Sequence, residues 1–206
     1  MPPEVAVAAH FPEASPSPMN TARTLSRGEA VIGARSLNPL VRGCVETWEQ
    51  CRTLLLALDD EAYRRAACST SSVGAHTRHC IDHYTSLLEG LDRGVVDYDR
   101  RERSPLLESD REAALEAIGD IMERLAAMDF SQLSTPLAVV ATCCSGGARV
   151  TTTSSLSREL LFVSSHVTHH LALMKLLAGD AACSVAEDVG VAFSTLVHRE
   201  SLKRGQ

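Results

Sequence analysis

The chain has few aromatic residues. They make up 4% of its 206 positions, and Trp48 is the single tryptophan, which argues against a stacking platform for nucleic-acid bases. It has no excess of positive charge: 20 Lys and Arg stand against 26 Asp and Glu, a net of −6, whereas nucleic-acid binding asks for a basic face. It has no long hydrophobic run. Leu54–Leu58 is as long as any, far short of the ~20 residues a membrane span needs. CxxC, HExxH and ExxH are all missing, which removes the thioredoxin-like, zincin and ferritin-like di-iron patterns.

Cysteine is present without pattern. Cys44, Cys51, Cys68, Cys80, Cys143, Cys144 and Cys183 form an odd set of seven in a chain too large to need disulfide staples. The expectation is a reducing, cytoplasmic setting with buried or free thiols. Only the adjacent pair Cys143–Cys144 stands out.

Apolar residues reach 45%, enough for a real core. Residues 1–27 carry Pro2, Pro3, Pro12, Pro16 and Pro18 among Ser and Ala and read as a disordered leader rather than a secretory signal, with an organelle address as the lesser alternative. The folded domain is expected over 28–196, with a C-terminal tail over 197–206 and one short helical piece somewhere beyond Ala181. Asn38-Pro39 predicts the start of a first helix, a cap followed by proline at the first helical position. Leu40, Val41, Cys44, Val45, Trp48, Leu55 and Leu56 supply its stripe. A second helix is predicted from Ser71 or Ser72 to about Asp92. Residues 95–108 read as a long polar connection. Ser109-Asp110-Arg111-Glu112 reads as a capping box opening a third helix. Leu137–Cys144 and Arg149–Thr153, split by Ser145-Gly146-Gly147, predict a short hairpin or irregular excursion. A fourth helix is predicted from about Ser155 to Leu177. The fold class is therefore all-α: a four-helix bundle with a short excursion between helices three and four.

Six of the eight histidines fall in two windows: His76, His79 and His83 on helix two, and His166, His169 and His170 on helix four. At 100° per residue, i and i+4 share a face. His79/His83 and His166/His170 have that spacing, and both pairs interrupt the apolar stripe. Unpaired buried imidazoles are costly, and a divalent metal is a partner that neutral imidazole suits. Nitrogen ligands suit zinc, nickel, iron(II) and copper in different degrees. Around these windows, His169 points about 60° away from the His166/His170 line and is expected to pack, with support of a ligand histidine as the alternative. Asp82 either orients His79 or His83 or forms a salt bridge. Arg78 and Arg158 are expected as solvated charges, with contact to an anionic substrate as the alternative, and Asp97–Arg101 as a structural loop packed by Tyr98.

At these residues the chain resembles the DinB-like (DNA-damage-inducible) metalloprotein superfamily, over roughly residues 38–196. Ser72–Tyr84 resembles its second-helix motif, where a histidine five residues after a glycine binds metal; from Gly74, that is His79. Ser165-His166-Val167-Thr168-His169-His170 resembles the fourth-helix motif, whose first and last histidines are ligands. Glu187–Thr195 looks like a tail seen in one bacterial subgroup. The resemblance implies a four-helix bundle with a mononuclear site on His79, His166 and His170 and open coordination positions. Its relatives include thiol-dependent transferases and isomerases that use bacillithiol or mycothiol, and domains of thiohistidine sulfoxide synthases. Many of them follow the fourth-helix motif with Arg-Gly-Gln. Here Leu171-Ala172-Leu173 follow, so a contact made by those residues does not carry over.

Two functions are expected on this basis. One is a metal-dependent thiol transferase or hydrolase using zinc, nickel or iron. The other is a non-catalytic, stress-related module binding a metal or small ligand. A third reading is a redox switch through Cys143–Cys144, or through Cys80 beside His79. Expected partners are a small molecule, a thiol among the candidates, and a second copy of the chain; nucleic acid and membrane are not expected.

Overall fold

The computed structural model describes residues 37–66 and 71–205, so the leader expected at 1–27 lies outside the described residues. Helix α1 spans Pro39–Leu56, and the Asn38 side chain accepts a hydrogen bond from the Leu40 amide at 2.9 Å. The proline preorganises the first turn while the asparagine satisfies one of its bare donors. Val41, Cys44, Trp48, Cys51, Leu54 and Leu55 are buried, whereas Leu56 points outward at 57% exposure. A short helix, α2, follows over Asp60–Arg64.

Helix α3 covers Val73–Gly90 and starts at Ser72, whose hydroxyl accepts from the Ala75 amide at 3.0 Å. Gly74 lies in its first turn against the Glu108 carbonyl and the Tyr63 ring, where a Cβ has no room. The expected polar connection after α3 is instead partly ordered. It forms strand β1 (Val95–Asp97) and helix α4 (Pro105–Ser109). Helix α5 spans Arg111–Ala126, and its cap differs from the expected capping box. Asp110 accepts from the Glu112 and Ala113 amides, while the Ser109 hydroxyl donates to the Pro105 carbonyl within α4. Ser109 closes one helix, so the neighbouring carboxylate opens the next.

The excursion between the third and fourth long helices is a true hairpin. Strands β2 (Pro136–Thr142) and β3 (Arg149–Ser155) pair antiparallel from Pro136↔Ser155 to Thr142↔Arg149. Gly147 takes φ +78 at the turn, a left-handed conformation that glycine adopts without strain. β1 adds in parallel to β2, with Val95 opposite Ala138, giving a three-stranded sheet. Helix α6 spans Leu156–Ala178 behind a Ser155 cap, and helix α7 spans Phe193–Arg204. The boundary expected between 196 and 197 falls inside α7.

The architecture is thus largely helical, with more than four helices and a sheet inserted among them. Its frame is the four long helices. α1 packs on α5 and α6, and α3 packs on the same two, so α1 and α3 face each other across the bundle. Trp48 and Tyr84 meet edge to face in the middle, with ring centroids 5.1 Å apart. By length and composition Leu156–Ala182 passes as a membrane span, with mean hydropathy 1.2 over its most apolar window. The core helix of a bundle passes the same test, and α6 packs on α1 and α3.

Candidate metal centre

α3 and α6 lie side by side, and each turns a row of imidazoles toward the other. The rings of His79, His166 and His170 gather with centroids 5.0, 4.7 and 4.5 Å apart. The set named by the motifs is therefore together in space, but it is not alone. His83 stands 4.5 Å from His79 and 4.4 Å from His166. The ligand nitrogens of His79, His83 and His166 all lie within 4.8 Å of one another. His76 joins through Nδ1, 2.8 Å from His170 Nδ1. His169 stays at the rim: it is exposed rather than packed in the core, with its ring centroid 5.5 Å from that of His170.

The nitrogens face one another directly, His79 Nε2 lying 2.9 Å from His166 Nε2. Two ligands each about 2.1 Å from one ion sit about 2.9–3.4 Å apart, so this edge has the length a metal polyhedron requires. Burial is the main reason that the imidazoles resist protonation. It lowers His79 to about 4, with the neighbouring His166, Arg101, Arg78 and His76 adding to the effect. His83 and His170 are lowered to about 3, burial leading and the other imidazoles following. His166 and His76 shift down for the same leading reason. Neutral imidazoles with free lone pairs are what a divalent ion binds.

The sheet brings the rest of the site. β1 leads to Tyr98, which is buried and donates its hydroxyl to Glu159 Oε2 at 2.7 Å. Ser154, at the end of β3, donates to the other oxygen of Glu159 at 2.5 Å. Glu159 is itself buried in the first turn of α6. This pairing fixes the loop after β1 over α3 and α6. Tyr98 then lies 5.3 Å from the His83 ring and 5.5 Å from Phe162, which stacks on His166 at 5.9 Å. Tyr98 thus packs the loop as expected. Three residues on, Arg101 reaches into the cluster. Its Nη1 donates to His83 Nε2 at 2.8 Å and to His79 Nδ1 at 3.1 Å.

Arg101 carries no motif. The only signal for it is a basic pair, Arg100-Arg101, after a buried tyrosine, and nothing in the sequence selects one arginine over the other. Asp82 does not orient a histidine: Arg78 binds it at 3.0 Å and binds Glu108 at the same distance. Arg158 sits over the Phe162 ring, 5.7 Å from its centroid.

The cysteines stand apart from this centre. Among the described residues all are free; Cys44, Cys51 and Cys80 are buried, and Cys143, Cys144 and Cys183 are exposed. Burial pushes the Cys51 thiol up to about 12 and Cys80 well above its ordinary value. Cys80 is therefore an inert core residue rather than a redox partner of His79. Amides of the β2–β3 turn, from Ala148 and then Gly146, lower Cys144.

Comparison with known proteins agrees with this geometry. "FK506-binding protein 5" from Rhizopus delemar is 37% identical over 105 residues, covering 50% of this chain and 27% of that protein. The chain thus spans about a quarter of the relative it matches. No solved structure matches. The pattern of the DinB superfamily matches residues 44–174, from within α1 to near the end of α6, with the histidines of both motifs inside it. By that match, which covers well over half of its length, the chain belongs to the DinB superfamily.

Proposed function

We propose that the protein binds one divalent metal ion, zinc, nickel or iron, through His79, His166 and His170, and presents its open coordination positions to a small ligand. The observation that carries this reading is the cluster of neutral imidazoles on two neighbouring helices, with His79 Nε2 and His166 Nε2 turned toward each other. Buried polar atoms rarely stay unpaired, yet His83 Nδ1 is buried with no partner among the described residues; because Arg101 donates to His83 Nε2, Nδ1 carries the proton, and the cluster holds one unsatisfied N–H. The donor set is nitrogen only, which suits a borderline transition ion rather than calcium or magnesium.

On this reading the chain's own part in chemistry is limited and definite. The three imidazoles fix the ion and leave positions open. A metal so held lowers the pKa of a bound water or thiol, as a thiol transferase or hydrolase requires. Tyr98 and Phe162 wall one side of the cluster. One observation favours the alternative, a non-catalytic binding module. The two buried carboxylates among the described residues, Asp82 and Glu159, are held by Arg78 and by Tyr98 with Ser154, so neither is free to act as a general base.

The test is metal analysis of protein purified without an affinity tag, on the wild type, four single variants and one double variant. His79→Ala and His166→Ala lose the metal on any reading of the cluster. His170→Ala loses it and His83→Ala retains it if the set proposed here is right; the reverse pattern replaces His170 by His83. Stoichiometric metal in the His79→Ala, His166→Ala double variant rules out the centre.

A further inference from the structure

Among the described residues Arg101 makes no salt bridge, and its Nε is buried without a partner. Its hydrogen bonds there are the two into the histidine cluster. A guanidinium stays charged and only donates, whereas a neutral imidazole has one lone-pair nitrogen. The bond from Arg101 therefore uses the lone pair of His79 at Nδ1 and leaves the proton on Nε2, which then donates to His166 Nε2. A metal ion at His79 Nε2 needs the opposite tautomer, with the proton on Nδ1 aimed at the Arg101 N–H. Ligation through Nδ1 displaces Arg101 outright. Either way, the Arg101–His79 bond and metal ligation by His79 exclude each other.

Charge balance points to the missing ligand. A dication on neutral imidazoles, beside a half-buried guanidinium, accumulates positive charge where the buried carboxylates Asp82 and Glu159 are already engaged by Arg78 and by Tyr98 with Ser154. Uncompensated buried charge is costly. An arginine fork matches a carboxylate in two-point geometry, and the adjoining Tyr98 and Phe162 rings suit an apolar body attached to it.

We propose that the metal-loaded site takes a small organic carboxylate, held between the open face of the metal and the Arg101 guanidinium, whose Nη1 donor is released from His79, so that metal and carboxylate each strengthen the binding of the other. This rests on the metal-centre reading above. It makes Arg101 the residue that selects an anionic ligand and couples it to metal occupancy.

The experiment measures cobalt(II) affinity of the full chain by competition with a chromophoric chelator, with and without benzoate, and records the cobalt absorption bands. Benzamide is the neutral control and inorganic phosphate the second anion. Benzoate is expected to tighten metal binding by about tenfold, within the usual range for coupled sites, and to shift the bands; benzamide does neither. In Arg101→Leu the metal binds at least as tightly without benzoate, because a competitor for His79 is gone, and the benzoate effect disappears. Arg101→Lys keeps the charge without the fork and retains part of the effect, which separates recognition from misfolding. Arg100→Leu, the same charge change one residue away, behaves as wild type. The inference is overturned if benzoate acts equally on wild type and Arg101→Leu, if Arg101→Leu alone weakens metal binding, or if phosphate couples as strongly as benzoate. An Arg101 that simply turns outward toward Glu89 and Asp97, which share a surface cleft with it, gives the first of these. A wild type that takes up no metal overturns the centre itself.

Discussion

A histidine that is hard to protonate makes a metal site that resists acid. The unfolded chain protonates its imidazoles near ~6.5, while in the folded chain burial and mutual repulsion lower His79 to about 4 and His83 and His170 to about 3. Between those limits the unfolded chain binds more protons, so the metal-free fold keeps its full stability above ~6.5 and loses it as pH falls toward 4 and below. Metal occupancy follows the folded values, because protons compete with metal only once they bind the ligands. The expected result is that metal remains bound at about pH 6 and is half lost below about pH 5. Equilibrium dialysis across that range checks it, and half-loss at or above pH 6.5 contradicts it. At this scale the sequence was partly legible. The i, i+4 pairs on two helices announce which imidazoles share a face, because helical spacing alone places them. Arg101 was not legible, since a loop residue 18 positions from His83 reaches it through a strand pairing that has no local signature. Nor was the exposure of His169, which depends on how α6 is rotated against its neighbours.

Elements were legible where their ends carry local chemistry. Asn38, Ser72 and Ser155 each cap the helix that follows, as a short polar side chain before an apolar repeat indicates. The hairpin was visible as two runs divided by Ser-Gly-Gly. β1 was hidden because a three-residue strand has no period to detect, and it exists only by lying beside β2. The segment after α6 is a second hidden case. Gly190 takes φ +80, and a Cβ there meets the Ala172 amide nitrogen at 2.7 Å and its Cα at 2.9 Å. Its own amide donates to Gln50 Oε1 at 3.1 Å. This glycine clamps the segment between α1 and α6, against a residue two positions from His170. Gly190→Ala combines a left-handed backbone with a contact that only backbone movement relieves, so a loss of about 1–3 kcal/mol is expected. Urea unfolding measures it, and an unchanged midpoint shows that the segment is not clamped there. Gly190→Ala is also expected to weaken metal binding, because the displaced Ala172 lies two residues from His170 on α6; an unchanged metal affinity contradicts this.

For the molecule as a whole, the metal centre joins α3 to α6, two helices that the bundle already packs together. Trp48, Tyr84, Leu87, Ile118, Leu125, Leu160 and Leu171 are fully or almost fully buried, and each large apolar side chain contributes roughly 1.5–3 kcal/mol when taken out of water. That core does not depend on the histidines, so removing the metal should leave a folded chain. Mass action sets the size of the effect. Metal at about 100 times its dissociation constant adds about 2.7 kcal/mol, and for a chain of this length each kcal/mol moves Tm by about 2–4 °C. Chelation is therefore expected to lower Tm by about 5–10 °C while far-UV circular dichroism at room temperature keeps its helical signature. His166→Ala should unfold at the chelated wild-type Tm whether or not metal is added, because it removes a ligand common to both candidate sets. A chelated protein that loses its helical signature would make the ion a folding nucleus, and the bundle core would then be weaker than its buried side chains indicate. A Tm indifferent to metal in the wild type, with metal bound, would mean that the ion binds the folded and unfolded chains alike, which a site assembled from two separate helices does not allow.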